Sequence, residues 1–483
     1  SEMCSRNGRK RSMKIYAVKI NGLCNPIGYD FEIPLCSWKV QGIKGKKPLW
    51  TQISVARDEE FQQIAWEKKG TLNSLGEVLD FSLRPYTRYY FKVTVCSDLE
   101  EILQSEVSFF ETAKREEPWQ AKWIGVNEGD THPEFQKVFR TDKKIKSARL
   151  YICGLGIFEA SINGNKVGND LLAPFINDYE EHFQYCTYDI TGLLKEENTI
   201  SVLLGDGWYR GHFGLGEPTH YDKPYALICE LRITYVDGSV ETIGTDNDWS
   251  YRKSFTTLSD IYNGETQDYF GWQEKPWKQA VLIPSPGRLC ERYSLPLHDM
   301  EKIPVKEVIH TPAGETILDF GQNFAGHVVC CEQIPKGVTM TLEFGEILQK
   351  GNFYHDNYRN AESKFTYISD GVKREIRPRF TFFGFRYVKV SGLEHVDEAL
   401  FEGRAIYSEM DQTGYIRTGN KKINQLFSNS LWGLKSNFLD MPTDCPQRDE
   451  RLGWTGDAQV FCTTAGFHMD TRAFYHKFLR DLR

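Results

Sequence analysis

Ionisable side chains are concentrated between residues 440 and 457, in the segment DMPTDCPQRDERLGWTGD. Carboxylates, guanidinium groups and one indole alternate there: Asp440, Asp444, Arg448, Asp449, Glu450, Arg451, Trp454 and Asp457. Carboxylates accept paired hydrogen bonds from the vicinal hydroxyls of a pyranose, and an indole covers the apolar face of the ring. A protonated carboxyl can also donate its proton to a leaving oxygen. The residue types therefore predict a sugar site with acid chemistry.

Prolines and glycines indicate that this segment is a loop. Pro442 and Pro446 interrupt helical hydrogen bonding, and Gly453 and Gly456 permit a tight turn. A charged loop can also be an exposed network of ion pairs with little effect on stability. Trp454 beside glycines favours a binding role over that alternative. So does the position of the loop before a helical region, because sites are commonly carried on loops above a rigid scaffold.

The segment also resembles a known signature. DCPQRDERLGWTGDAQ is similar to the motif of the bacterial α-L-rhamnosidases, glycoside hydrolase family 78. GDGWYRG, DFGQNFAGHV and FGFRYVKVSG are similar to other parts of that family, and the likeness spans most of residues 118–483. The resemblance implies an inverting hydrolase that releases terminal, non-reducing α-L-rhamnose from glycosides or plant polysaccharides.

The resemblance also implies a role for each site residue. Glu450 would be the general acid that protonates the glycosidic oxygen. Asp444 and Asp457 would bind the rhamnose hydroxyls, with Arg448 beside them and Trp454 packed against the sugar. A general acid needs a raised pKa, which apolar contact from Trp454 and nearby anions could supply. No metal ligands and no cofactor are predicted, although calcium stays open because some jelly-roll modules of this family use it.

An inverting mechanism needs a second carboxylate, roughly 6.5–9.5 Å from the acid, to activate water. In the family that this chain resembles, the base is a glutamate far downstream, in a catalytic (α/α)6 toroid. Twelve helices with their connections need roughly 250–350 residues, and only residues 409–483 are available here. We therefore expect the general base to lie outside this chain. We also expect the chain alone to hydrolyse little or nothing.

The elements that position the loop are predicted to be mostly β. Short runs rich in Val, Ile, Tyr and Phe alternate with turn signals up to residue 408, which is typical of β-sandwiches. The fold class is multidomain, with β-sandwiches followed by the first helices of an incomplete (α/α)6 toroid. The predicted segments are a tail at 1–12, a fibronectin type III-like sandwich at 13–117, a jelly-roll at 118–300 that is a candidate carbohydrate-binding domain, a further sandwich at 301–408 and the helical segment at 409–483.

Two groups of aromatic residues in the sandwiches have different interpretations. Trp38 and Tyr89 are predicted to be core residues of the first sandwich, with Tyr89 forming a tyrosine corner. A second group could either stack on a sugar or form a buried corner of the jelly-roll: Asp206, Trp208, Tyr209, Arg210 and His212.

Helical periodicity begins after residue 409. Asn420 can cap a helix whose apolar residues recur at helical spacing: Ile423, Leu426, Phe427, Leu431 and Leu434. A second apolar-periodic stretch follows at 457–469. Asp470 can cap a third helix, with an apolar face of four residues: Ala473, Phe474, Phe478 and Leu482.

Composition excludes some functions. A net charge of −7 over 483 residues gives no reason to expect nucleic acid as a partner, and no run of about 18 apolar residues indicates a membrane span. Twelve scattered cysteines and the lack of a signal-like start favour a cytoplasmic location, with a secreted or periplasmic one left open. Oligomeric state is not predicted. Two alternatives remain: a sugar-binding β-sandwich protein without catalysis, and another (α/α)6 glycosidase whose arginines pair with a uronate.

Overall fold

A computed structural model describes residues 13–215, 220–272 and 275–483 of the chain. Two compact units result, Ser1–Pro118 and Trp119–Arg483. No helix of the described ranges is long and apolar enough to cross a membrane.

The first unit is a β-sandwich of two sheets. In sheet order, the strands of the smaller sheet are Lys14–Ile20, Leu35–Gln41 and Glu77–Val78. Those of the larger sheet are Ile64–Gly70, Pro48–Ala56, Arg88–Ser97 and Ile102–Gln104, with Ser108–Glu111 also paired to Arg88–Ser97. Trp38 and Tyr89 are buried between the sheets, as predicted. The Tyr89 hydroxyl accepts a hydrogen bond from the Arg84 backbone N–H at 2.8 Å, which is the contact expected of a tyrosine corner.

The second unit begins with two sheets that share one apolar core. The strands of the first sheet, in sheet order, are Asn165–Lys166, Ile157–Ile162, Glu197–Gly205, Pro133–Arg140, Ser250–Lys253 and Lys278–Gln279. Those of the second are Val281–Leu282, Ile124–Gly125, Ala226–Tyr235, Ile145–Leu155, His182–Asp189 and Arg288–Glu291, with Val240–Gly244 beside Ala226–Tyr235. Buried residues alternate with more exposed ones along Glu197–Gly205, whereas the first six residues of Ala226–Tyr235 are all buried, as in a strand covered on both faces.

A larger sheet of nine strands follows. Its strands, in sheet order, are Thr256–Asp260, Gly264–Asp268, Lys364–Ile368, Thr339–Gly345, Phe383–Ser391, Thr316–Cys330, Phe401–Ser408 and Leu297–Pro304, with Glu307–His310 beside Thr316–Cys330. Ile347–Gln349 pairs with Asn352–Tyr354 in a separate hairpin, and 3-10 turns occur at Thr191–Leu193, Asp356–Tyr358 and Glu398–Leu400. The first two strands of the large sheet come from the segment predicted as the jelly-roll, so pairing crosses the predicted boundary at residue 300.

Three α-helices end the described chain: α1, Lys421–Asn437; α2, Thr455–His468; and α3, Arg472–Asp481. The Asn420 side chain accepts a hydrogen bond from the Lys422 N–H at 2.9 Å, so the predicted cap of α1 is confirmed. The predicted cap of α3 is wrong. Thr471 precedes that helix without a side-chain cap, and the Asp470 carboxylate instead pairs with the Arg472 guanidinium at 3.0 Å.

The apolar faces of these helices are only partly buried. Leu434, Phe474 and Phe478 are buried, whereas Leu426 and Val460 are 69% and 85% exposed. Helical periodicity identified the apolar residues, but it did not predict how many of their side chains are buried within the described chain.

Candidate active site

The loop that carries the ionisable cluster follows a short hairpin, Phe438–Leu439 with Met441–Pro442, and runs into α2. Gly456 lies within the first turn of α2 rather than in the loop. Gly453 is required by packing, because a Cβ at this position would lie 2.9 Å from Phe478 Cε2 and 3.1 Å from Met441 Sδ. The loop is therefore seated closely against the helices.

Arg451 fixes this loop to the β-sheets beneath it. Its buried guanidinium donates to the backbone carbonyls of Ile261 at 2.8 Å and Phe382 at 3.1 Å, and also to the Gln447 carbonyl of the loop itself at 3.0 Å. The hydroxyl of Tyr262 donates to the Glu450 carbonyl at 2.7 Å. Hydrogen bonds of this kind satisfy buried polar groups, and here they join the loop to two strands or strand ends far away in the sequence.

Glu450 is buried, and its carboxylate accepts three hydrogen bonds. Arg359 Nη2 donates to Oε2 at 2.8 Å and Arg448 Nε donates to the same oxygen at 3.0 Å, while Trp454 Nε1 donates to Oε1 at 3.2 Å. Burial alone would raise the pKa of this carboxyl, but the three hydrogen bonds and the positive charge of Arg448 outweigh burial and lower the pKa.

The expectation of a raised pKa for Glu450 is therefore wrong for this structure. The physical reason is that Trp454 contacts the carboxylate through its polar N–H rather than through the apolar face of its ring. Two cations also face the same oxygen. The indole is 42% exposed, so a large part of its surface remains accessible to a ligand.

Asp444 and Arg448 lie next to the acidic side chain. Arg448 Nη2 donates to Asp444 Oδ2 at 3.2 Å, and Asp444 Oδ1 accepts from the Leu452 N–H at 3.3 Å. Ligand atoms of Asp444, Cys445 and Glu450 all lie within 4.8 Å of one another. Calcium prefers six to eight oxygen ligands, whereas this group offers two carboxylates and a thiol with Arg448 already bridging the carboxylates, so these residues do not fit that ion.

Asp457 lies at the start of α2 and is exposed. It shares a pocket of about 560 Å³ with Asp444, and the aromatic walls of that pocket come from Phe438, Phe461 and Tyr475. Glu450 and Trp454 do not line this pocket. Asp444 therefore lies beside Glu450 and also lines the pocket that Asp457 lines.

Comparison with known proteins covers nearly the whole chain. Residues 15–116 match the Rha78A-like N-terminal immunoglobulin domain, and residues 143–301 match the α-L-rhamnosidase N-terminal domain. Residues 309–407 match the bacterial α-L-rhamnosidase concanavalin-like domain, and residues 411–483 match the bacterial α-L-rhamnosidase six-hairpin glycosidase domain. The chain belongs to the bacterial α-L-rhamnosidase family. This confirms the mostly β, multidomain fold class and the start of a six-hairpin helical domain, with the first sandwich classed as immunoglobulin-like.

Individual relatives in the α-L-rhamnosidase family agree in sequence and in fold. An α-L-rhamnosidase from Alteromonas sp. is 30% identical over 525 residues, which cover 99% of this chain and 56% of the relative. An α-L-rhamnosidase from Formosa agariphila is 32% identical, and the alignment covers 96% of this chain and 54% of the relative. The crystal structure of the Aspergillus terreus α-L-rhamnosidase aligns with a TM-score of 0.90 at 30% identity, covering 97% of this chain and 57% of that one. The structure of the Dictyoglumus thermophilum α-L-rhamnosidase aligns with a TM-score of 0.86 at 31% sequence identity, again covering 97% of this chain and 57% of that one. The chain therefore spans a little over half the length of these relatives.

Two further residues at this rhamnosidase-family loop were missed by the sequence analysis. Arg359 follows the 3-10 turn Asp356–Tyr358 and reaches Glu450. Glu346 accepts hydrogen bonds from Asn323 at 2.9 Å and Asn357 at 3.1 Å, and burial raises its pKa beside Arg448. Neither residue belongs to a recognisable sequence motif. Both are far from residue 450 along the chain, so the sequence alone did not indicate that they lie at this loop.

The second aromatic group is a buried corner rather than an open sugar site. Asp206, Trp208, Tyr209 and Arg210 are all at most 7% exposed. Asp206 accepts a hydrogen bond from Arg210 Nε at 3.0 Å and another from the Tyr225 hydroxyl. His212 is only partly buried, and its Nδ1 lies 2.9 Å from Asp260 Oδ2. The segment GDGWYRG is therefore a buried corner of the jelly-roll.

Proposed function

We propose that this chain carries the acid half of an inverting α-L-rhamnosidase, with Glu450 as the general acid. The observation that supports this most directly is the position of the Glu450 carboxyl. It is held on a loop fixed by Arg451, within 4.8 Å of the Asp444 carboxylate and next to Arg448. The family to which the chain belongs adds the substrate class: glycosides or polysaccharides with terminal α-linked rhamnose.

Substrate binding is assigned to the groups around the acid. Asp444 and Asp457 would accept hydrogen bonds from rhamnose hydroxyls, and Arg448 would donate beside them. The exposed part of the Trp454 ring would cover the apolar face of the sugar. Asp444 and Asp457 line the pocket of about 560 Å³ next to these groups, although Glu450 and Trp454 do not, and its volume lies in the range usual for small-molecule sites, roughly 300–1,000 Å³.

The chemical step needs a proton on Glu450 and an activated water. Glu450 gives its proton to the glycosidic oxygen as the bond from that oxygen to the anomeric carbon breaks. Water attacks the opposite face of the sugar and loses a proton to a second carboxylate. None of the residues discussed above is assigned as this second carboxylate. We propose that it lies in the part of the family's toroid that residues 409–483 do not include.

The stereochemistry of the product tests the mechanism. The protein expressed from the complete reading frame should hydrolyse 4-nitrophenyl α-L-rhamnoside, and proton NMR taken early in the reaction should detect β-L-rhamnose before mutarotation. Inversion at the anomeric carbon is the reason. Early appearance of the α-anomer would contradict the inverting mechanism, and a lack of hydrolysis of any α-L-rhamnoside would contradict the activity.

The 483-residue chain alone should have at most a trace of this activity. Its described part has three helices after residue 408, whereas the toroid needs twelve, so the water-activating carboxylate is not expected in it. Parallel assays of this chain and of the complete product, at equal molar concentration, measure the difference. Equal turnover would show that the catalytic pair lies within these 483 residues.

A further inference from the structure

Arg359 connects the concanavalin-like part of the chain to the acid loop. Its Nη2 lies 2.8 Å from Glu450 Oε2, and its Nε lies 2.7 Å from Asp449 Oδ1. The same Nη2 also donates to the Asp449 carbonyl at 3.3 Å. A single guanidinium therefore binds two consecutive residues of the loop from a position ninety residues earlier in the sequence.

The backbone at Arg359 has an uncommon conformation. Its φ is +57° and its ψ is −115°, in a region that residues with a side chain rarely adopt. The preceding Tyr358 is fully buried and its hydroxyl donates to the Gly384 carbonyl, while the Arg359 N–H donates to the Asp356 carbonyl at 3.3 Å. Such conformations persist when the surroundings hold them, and they cluster at functional sites.

The charges around Glu450 explain why Arg359 matters. Arg448 and Arg359 face the carboxylate as cations, and Asp444 and Asp449 lie beside it as anions, with the Cys445 thiol nearby. The Trp454 N–H donates to the other carboxylate oxygen of Glu450, Oε1. The Arg451 guanidinium donates to backbone carbonyls rather than to this carboxylate. Arg448 also binds Asp444, so its charge is shared within the loop. Arg359 is 43% exposed and can keep Asp449 as a partner when it leaves Glu450.

We propose that Arg359 is a positioning residue that holds Glu450 ionised and oriented while the site is free of sugar, and that it must release Glu450 before this side chain can act as an acid. This rests on the proposed role of Glu450. When the contact opens, Glu450 binds a proton from solvent. It then gives that proton to the glycosidic oxygen, leaves the step as a carboxylate and pairs with Arg359 again.

The titration of Glu450 tests this without any need for turnover. The Trp454 indole N–H donates to Glu450, so its ¹⁵N-indole NMR signal should report the protonation of the carboxyl. In the 483-residue chain that signal is assigned by its loss in Trp454→Phe. Replacement Arg359→Met removes a cation 2.8 Å from the carboxylate and should move the midpoint upward by about one pH unit or more.

Two further variants complete the experiment. Arg359→Lys keeps the charge but loses the paired geometry, so its midpoint should lie between those of the wild type and Arg359→Met. Arg404→Met is the matched control, because Arg404 forms ion pairs with Asp299 and Glu402 elsewhere in the large sheet, and its midpoint should equal that of the wild type. An unchanged midpoint in Arg359→Met, with the chain folded by circular dichroism, would overturn the proposal. If Arg359→Met does not fold, an Arg359→Lys midpoint equal to that of the wild type overturns it instead.

The pH dependence of the complete product separates this proposal from the proposed function. The basic limb of kcat/KM reports the ionisation of the free acid, so Arg359→Met should move that limb to higher pH. A shifted NMR midpoint with no hydrolysis would refute the proposed function and leave the control of Glu450 by Arg359 intact. Hydrolysis whose basic limb does not move in Arg359→Met would refute the role of Arg359 and leave the function intact.

Discussion

Replacement Glu450→Gln in the protein expressed from the complete reading frame is expected to lower kcat for alkyl α-L-rhamnosides by about 10²–10⁴-fold. Glutamine keeps the size of the side chain, but its single amide oxygen can accept at only one of the two positions where Trp454 and Arg448 donate to Glu450. It also has no acidic proton to give to the leaving oxygen. An alkoxide is a poor leaving group without that proton. Steady-state kinetics of the variant and the wild type measure the loss, and KM should change much less.

The leaving group distinguishes lost acid catalysis from general damage. A nitrophenolate leaves without full protonation, so Glu450→Gln should retain a larger share of wild-type activity on 4-nitrophenyl α-L-rhamnoside than on an alkyl rhamnoside. Glu362→Gln is the control, because Glu362 is largely exposed and pairs with Lys364. Equal losses on both substrates would argue that Glu450 has a structural role only.

The clustering of the ionisable side chains in the loop was predictable because these residues are close in sequence. Asp444, Arg448 and Glu450 lie within seven positions, so a turn must bring their side chains together whatever surrounds them. The protonation state was not predictable, because it depends on Arg359, which only the tertiary fold brings to the loop. Arg451 shows the same limit, since its guanidinium binds the backbone carbonyls of Ile261 and Phe382, which only the tertiary fold brings to the loop.

The fold was predictable wherever short-range patterns determine it. Asn420 caps α1 through a contact to a residue two positions away, which a sequence contains in full. The cap of α3 failed because Asp470 could pair either with a backbone N–H or with Arg472, and the sequence does not rank these partners. The parallel pairing of Gly264–Asp268 with Lys364–Ile368 joins strands about one hundred residues apart, which no local pattern encodes.

Lys477→Ala is expected to destabilise the unit Trp119–Arg483 by about 3–5 kcal/mol, the cost of breaking a buried ion pair. Lys477 is 1% exposed, and its Nζ lies 2.9 Å from Asp440 Oδ2 and 2.6 Å from Asp481 Oδ2. Burial alone would lower the pKa of this amine, but the two carboxylates raise it, so the cation is retained inside the fold. Alanine would leave two carboxylates in a buried site without a counter-charge.

The same network explains why the loss should spread beyond α3. Asp440 Oδ2 also accepts a hydrogen bond from the Ile176 N–H at 2.9 Å, and Asp481 Oδ1 accepts one from the Tyr293 hydroxyl at 3.0 Å, so Lys477 joins the helix to the loop hairpin and to the sandwich.

Urea unfolding followed by tryptophan fluorescence measures the free energy of unfolding. The neighbouring exposed His476→Ala should change it by no more than about 0.5 kcal/mol. A triple variant, Lys477→Met with Asp440→Asn and Asp481→Asn, should recover part of the loss, because it removes the unpaired charges together with the cation. If Lys477→Ala unfolds at the same urea concentration as His476→Ala, the ion pairs contribute nothing net and the helix is held by its apolar face alone.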